Sequence, residues 1–330
     1  DLKLYYWFLC QKVFGLEIYK FFKMTKILIT EFINENSLNN LKKNFQVLYD
    51  QKLWNETDKL IKSITDFDGL IVRNKTKVTK DLLDKAYNLK FVGRLGVGLD
   101  NIDIEYCKNK EIFVQPATGM NADSVVEYVV SCSLSLIKKI PLFNNGTIKG
   151  DWPRTKIKSE EINGKTLGLI GYGYIGNKVS KYCSNLGLNI IAYDPYLKNK
   201  TNDKNVNFVK INQIYEVSDI ISLHLPLTEE TKNLINKVSF SMMKQKPIII
   251  NTSRGSVVNE NDLIDAYKKN LISGFALDVF ENEPIQDSFY NQISKDMNCI
   301  LTPHISGVTS QSNERVCNFI ANKTIEFFKT

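Results

Sequence analysis

From Lys26 onward, short apolar runs alternate with stretches whose apolar residues recur every three or four positions. ILIT (27–30), FQVLY (45–49), GLIV (69–72), KFVGRLG (90–96) and IFVQP (112–116) predict strands, with the amphipathic SLNNLKKN and TKDLLDKAYN lying between them. Residues 121–140, NADSVVEYVVSCSLSLIKKI, open on an Asn/Asp/Ser cluster and predict one helix that stops at Pro141. A second strand series follows: TLGLIG (166–171), NIIAYD (189–194), DIISLHLP (219–226), PIIINTS (247–253), GFALDV (274–279) and CILTPH (299–304). Nearly continuous Ile/Leu/Val runs suit strands buried on both faces, so the pattern predicts an α/β protein of two doubly wound parallel-sheet units.

Two units also suit a chain of 330 residues. A hydrophobic fraction of 43% and a charged fraction of 24% are those of a globular protein rather than a disordered one. The net charge of +7 is spread along the chain, without the basic stripe or known module that nucleic-acid binding would need. It fits a small anionic substrate equally well. Cys10, Cys107, Cys132, Cys183, Cys299 and Cys317 are too scattered for a metal site or a disulfide framework, and they read as reduced thiols of a cytoplasmic protein. No metal is expected. No apolar run is long enough for a membrane span. Residues 1–23, aromatic-rich and preceding MTKILITEFI, are an extension of unknown role without the marks of a signal peptide, and KNKTNDKN (198–205) is a polar surface loop.

Candidate chemistry begins at TLGLIGYGYIGNKVSKYCSNLG. Gly171, Gly173 and Gly176 stand directly after a strand and at the opening of a helix, and Asp194 ends the next strand. That context turns a weak GxGxxG match into a dinucleotide fingerprint. The glycines serve a tight turn, a close backbone approach and helix–strand packing, and the amides of Tyr174 and Ile175 would carry a pyrophosphate. Asp194 would accept the adenosine ribose hydroxyls and repel a 2′-phosphate, which favours NAD over NADP, with Lys198 near enough in sequence to keep the latter open.

Three further polar stretches each follow a buried strand. NTSRGSVVNENDL supplies Arg254, DVFENEP supplies Glu283 and TPHISG supplies His304, one of only two histidines in the chain. In an open α/β sheet the carboxyl ends of strands meet at one crevice, so these residues can converge. Here the chain resembles the NAD-dependent D-2-hydroxyacid dehydrogenases over nearly all of residues 25–330. The resemblance rests on HLPLTEETKNLIN (224–236), NTSRGSVVNENDLIDAYKKNLISGFALDVFENEP (251–284) and TPHISGVT (302–309). GRLGVGLDNID (93–103) and SVVEY (124–128) are most similar to its 3-phosphoglycerate dehydrogenase branch.

The resemblance implies a Rossmann NAD-binding domain (121–307) inserted into a flavodoxin-like substrate domain (24–120 and 308–330), with assembly into a homodimer or homotetramer. It implies His304 as general base, Glu283 as the carboxylate orienting it and Arg254 as the cation on the substrate carboxylate. His224, Pro226, Thr228, Thr252, Ser253 and Asp278 would join the glycine loop around NAD. Substrate contacts would come from Arg73, Asn74, Val97, Gly98, Asn121 and Arg154, with Lys75, Lys77 and Lys156 adding positive field.

The implied reaction is oxidation of 3-phosphoglycerate to 3-phosphohydroxypyruvate at the head of serine synthesis. Reduction of glyoxylate or hydroxypyruvate by the same chemistry stays open. A further alternative is an NAD-sensing interaction protein like the C-terminal-binding transcriptional corepressors. Ser306 departs from the glycine usual after His-Ile. Nothing corresponds to a C-terminal serine-binding domain, so no serine feedback is expected.

Overall fold

The computed structural model describes residues 24–197, 205–285, 289 and 291–329. The N-terminal extension with Cys10, and Lys198 with nearly all of its polar loop, lie outside the described residues. The chain divides into two units, one running to Asn121 and resuming at Ser310, the other Ala122–Thr309.

The first unit carries strands β1 (Lys26–Ile29), β2 (Gln46–Tyr49), β3 (Gly69–Val72), β4 (Phe91–Arg94) and β5 (Phe113–Pro116). They form a parallel 5-stranded sheet in the order β2-β1-β3-β4-β5. Helices α1 (Glu35–Asn44), α2 (Thr57–Ile64), α3 (Lys80–Lys85) and α4 (Ile104–Asn109) connect the strands. Every residue of β3 is buried, as expected of Gly-Leu-Ile-Val covered on both faces. Asn34 caps α1 by accepting from the Ser37 amide, and Asp103 caps α4 from the Tyr106 amide.

The second unit opens with α5 (Ala122–Ile137) and α6 (Ile140–Ile148). Strands β6 (Thr166–Ile170), β7 (Asn189–Tyr193), β8 (Val206–Phe208), β9 (Ile220–Leu223), β10 (Ile248–Asn251), β11 (Gly274–Leu277) and β12 (Cys299–Leu301) follow. They make a parallel 7-stranded sheet, β12-β11-β10-β9-β6-β7-β8. Helices α7 (Tyr174–Asn185), α8 (Ile211–Val217), α9 (Lys237–Ser241) and α10 (Glu260–Lys268) complete it, and the closing helix α11 (Ser310–Lys329) returns to the first unit. Strand order reverses between β1 and β3 in one sheet and between β6 and β9 in the other, and such switch points are where open α/β sheets bind ligands.

The long helix departs from the sequence expectation. It ends at Ile137, Lys139 turns left-handed at φ 54, and Pro141 sits in the first turn of α6. Proline lacks only an amide hydrogen that a first turn leaves unpaired anyway, so it opens a helix here and does not terminate one. Strand β8 was not expected either. It is three residues of Val-Asn-Phe at the sheet edge, too short and too polar to carry a period.

Candidate active site

The glycine turn follows β6. Gly171 has φ +92, where a side chain is strained, and a Cβ there would stand 2.2 Å from the His224 carbonyl oxygen. A Cβ on Gly176 would meet the Gly171 carbonyl at 2.3 Å, so α7 packs directly on the turn. Gly173, the N-cap of α7, is different: a Cβ there meets nothing within 4 Å. Two glycines are required by the fold, and the third leaves open space at a helix N-terminus. That open space, with no side chain to fill it, suits a pyrophosphate held on backbone amides.

Asp194 follows β7, its carboxylate accepting from the amides of Tyr172 and Tyr196, both at 2.9 Å. It is half-buried beside the turn. Thr252 Oγ1 is buried without a hydrogen-bond partner, an unmet polar group at the carboxyl end of β10. The open Gly173, Asp194 at the end of the next strand and the unmet Thr252 hydroxyl together fit a dinucleotide. Ser253 is buried, with its amide and hydroxyl both donating to Asn251 Oδ1. Thr228 donates its hydroxyl to Glu230 on the exposed loop that also carries Pro226. His224 is half-buried, its Nε2 lies 3.0 Å from Ser222 Oγ, and burial pushes its imidazole down to about 4.

Arg254, Glu283 and His304 come from the carboxyl ends of β10, β11 and β12. Asn251 braces the first loop by donating to the Arg254 carbonyl at 2.9 Å. Arg254 Nη1 donates to the Ser253 carbonyl at 2.6 Å. A Cβ on Gly255 would fall 1.9 Å from the Phe280 carbonyl carbon, so the Arg254 loop lies flush against the Glu283 loop. Glu283 Oε1 accepts from the Phe280 amide at 3.1 Å, and its Oε2 lies 2.8 Å from His304 Nδ1. An ionised carboxylate only accepts, so Nδ1 carries the proton and Nε2 is left as the free basic nitrogen.

The electrostatics follow that contact. The hydrogen bond to Glu283 raises the His304 imidazole against burial, helped by the charges of Glu283 and Asp278 and opposed by Arg254. Burial works to raise the Glu283 carboxyl. His304, the Phe280 amide and Arg254 together outweigh it and hold the group below its ordinary value. Asp278, fully buried, accepts from the Thr302 hydroxyl at 2.6 Å and from the amides of Ile305 and Ser306, each at 2.7 Å. Ser306 fits without positive φ, its amide on Asp278 and its carbonyl accepting from Ser124 Oγ at 2.6 Å.

In the first unit, Arg73, Asn74 and Lys75 follow β3 at the switch point. The buried Glu31 carboxylate accepts from the amides of Arg73 (2.8 Å), Lys75 (3.1 Å) and Thr76 (2.9 Å). Asn101 closes the loop from the other side, donating to the carbonyls of Arg73 and Thr76. The Arg73 guanidinium donates to Asn313 Oδ1 at 2.6 Å and lies 5.6 Å from the centre of the Phe32 ring. Lys75 sits over Trp54 at 4.3 Å, and Asn74 and Lys77 are exposed. Val97 and Gly98 follow β4, with Gly96 at φ +156 and the Arg94 guanidinium folded against it. Asn121 Oδ1 is buried without a partner. Arg154 and Lys156 are exposed on the segment after α6.

Sequence reasoning missed Glu31, Asn101 and the Asp278 bonds to the His304 turn. Each joins residues 24 to 45 positions apart, and only Glu31, an acidic residue inside an apolar run, carried a local signal. No helix among the described residues is long and apolar enough to cross a membrane, and no group of metal-ligating side chains occurs among them.

The family model for the D-isomer specific 2-hydroxyacid dehydrogenase NAD binding domain matches residues 130–306. The chain is 38% identical over 298 residues to (S)-sulfolactate dehydrogenase of Chromohalobacter salexigens, covering 89% of this chain and 95% of that one. It is 40% identical over 261 residues to hydroxypyruvate reductase of Thermotoga maritima, covering 79% and 85%. With D-3-phosphoglycerate dehydrogenase of Methanocaldococcus jannaschii it shares 38% over 302 residues, 91% of this chain but 57% of that relative's length. Among solved structures, D-lactate dehydrogenase from Aquifex aeolicus, complexed with NAD and lactic acid, superposes with a TM-score of 0.78 at 28% identity, covering 92% and 96%.

Proposed function

Because the chain belongs to the D-isomer-specific 2-hydroxyacid dehydrogenase family, and so is an NAD-dependent oxidoreductase of small 2-hydroxy or 2-oxo acids, we propose that its substrate bears a second strong anion at C3, with 3-phosphoglycerate and 3-phosphohydroxypyruvate the pair it interconverts. The observation that carries this reading is the Arg73 loop. A buried carboxylate spent on three loop amides fixes the loop at the carboxyl end of β3, and Asn313 holds the guanidinium that the loop carries. A planar cationic fork so fixed suits a phosphate or sulfonate, and an acid without a second anion offers it no opposite charge.

A second reading, the sulfonate analogue, is favoured by the match that covers 95% of the sulfolactate enzyme. The two substrates share a shape. Sulfur outranks the carboxyl carbon in naming the stereocentre, so (S)-sulfolactate places its groups in space as D-3-phosphoglycerate does.

In this reading Arg254 holds the substrate carboxylate and polarises the C2 oxygen. His304 Nε2 takes the C2 hydroxyl proton, while Glu283 keeps Nδ1 protonated and stabilises the imidazolium that forms. Bound NAD supplies the acceptor for the C2 hydride. Gly173, the α7 amides, Asp194 and Thr252 would hold it, and Val97 and Gly98 would offer amides to the substrate carboxylate.

Initial rates with NADH on 3-phosphohydroxypyruvate, 3-sulfopyruvate, hydroxypyruvate and glyoxylate test the proposal. A doubly anionic acid should exceed hydroxypyruvate in kcat/KM by about 10- to 100-fold, the worth of one charged hydrogen-bonded contact. Equal or better rates on hydroxypyruvate would contradict it.

Helix α6 buries none of its residues, and Ile140, Ile148 and Trp152 are 52%, 76% and 78% exposed. A second copy of this chain is the cover proposed for that apolar surface. A monomer mass by light scattering at micromolar concentration would contradict it.

A further inference from the structure

The His304 imidazole is half-exposed, with 51% of its side chain open to solvent, so packing does not fix its direction. Its backbone is left-handed at φ 57, uncommon for a residue with a Cβ. The aim of the ring therefore depends on the contact with Glu283 and on whatever holds the turn 302–306.

That turn is gripped from two elements. Asp278, beyond the end of β11, takes the Thr302 hydroxyl and the Ile305 and Ser306 amides. Helix α5 supplies Ser124 and Tyr128, one helical turn apart on the same face. Ser124 Oγ donates to the Ser306 carbonyl at 2.6 Å, and the Tyr128 hydroxyl lies 2.6 Å from Thr302 Oγ1. Thr302 has one proton and gives it to Asp278, so Tyr128 is the donor to Thr302. The hydroxyls run in series: Tyr128 to Thr302 to Asp278. Donation in series polarises each link and strengthens the next.

We propose that Tyr128 and Thr302 are positioning residues for His304, their hydroxyls acting through the buried Asp278 carboxylate to fix the turn that aims the imidazole at the substrate. This role rests on the reading of His304 as the proton carrier. Neither hydroxyl touches the imidazole, Glu283 or Arg254 by any contact described above. Their effect falls on turnover and leaves binding in place.

The test uses the full chain with NADH and, in separate runs, 3-phosphohydroxypyruvate and hydroxypyruvate. Tyr128→Phe keeps the ring in the core and removes one hydroxyl. Thr302→Val keeps the shape and removes both hydrogen bonds, and Thr302→Ser keeps the hydroxyl. Both loss variants should fall about tenfold or more in kcat, the scale expected of a misplaced catalytic group. KM for the acid should stay within about twofold, and NADH should bind with wild-type stoichiometry. Thr302→Ser should recover most of the loss.

Wild-type kcat in either loss variant would overturn the proposal. So would a fall in kcat matched by an equal fall in NADH stoichiometry, which marks lost folded protein, or a Thr302→Ser variant as slow as Thr302→Val. His304→Ala separates the two claims. Near-normal turnover there overturns His304 as proton carrier, whereas collapse there beside a normal Tyr128→Phe overturns the positioning role alone.

Discussion

His304 Nδ1 lies 2.8 Å from Glu283 Oε2, and that contact drives the two groups' pKa values apart, the imidazole up and the carboxyl down. Burial pushes the only other histidine, His224, down to about 4. Over the range near neutrality a single imidazole therefore titrates. Oxidation needs it neutral, so kcat/KM should rise with pH through a value above 6.5, and reduction needs it charged, so kcat/KM should fall through the same value. Both limbs are read from pH–rate profiles with NAD and NADH. A limb below 6.5 would contradict the Glu283 contact.

Glu283→Gln keeps the shape of the orienting side chain and removes its charge. The hydrogen bond to Glu283 is the largest cause of the raised imidazole, so the pH limb should move down. Turnover should fall by about 10²-fold or more, the scale of a lost acid–base contribution. NADH affinity by fluorescence titration should stay near wild type.

Glu31 is 4% exposed and accepts three loop amides. Glu31→Gln leaves one of its two acceptor oxygens and turns an NH2 toward donors, at a cost of about 1–3 kcal/mol. Thermal unfolding should show a lower Tm. The loosened Arg73 loop should also raise KM for 3-phosphohydroxypyruvate more than KM for hydroxypyruvate.

Gly173 and Gly176 separate binding from folding. A Cβ at Gly173 meets nothing, so Gly173→Ala should leave Tm unchanged and weaken NADH about tenfold by occupying the space assigned to the pyrophosphate. A Cβ at Gly176 would press on the Gly171 carbonyl at 2.3 Å, so Gly176→Ala should lower Tm. Calorimetry with and without NADH reads both.

The alternation of Ile/Val/Leu runs with amphipathic stretches made both parallel sheets legible, because strands buried on both faces must be apolar throughout. The glycine turn was legible too, since its spacing answers to local backbone geometry. What stayed hidden was long-range or marginal. Tyr128 meets Thr302 across 174 positions, and Glu31 meets Thr76 across 45, with no period to announce either. Strand β8 is too short to show alternation, and Pro141 reads alike as a stop or a start until Lys139 is seen to turn left-handed.

Recognition of a second anion by Arg73 is read from the ratio of kcat/KM for 3-phosphohydroxypyruvate to that for hydroxypyruvate, measured in the wild-type chain and in Arg73→Ala. A wild-type ratio of about 10 to 100 is expected, collapsing toward one in the variant, with hydroxypyruvate turnover nearly unchanged. A wild-type ratio near one, or a high ratio that survives loss of Arg73, would contradict it.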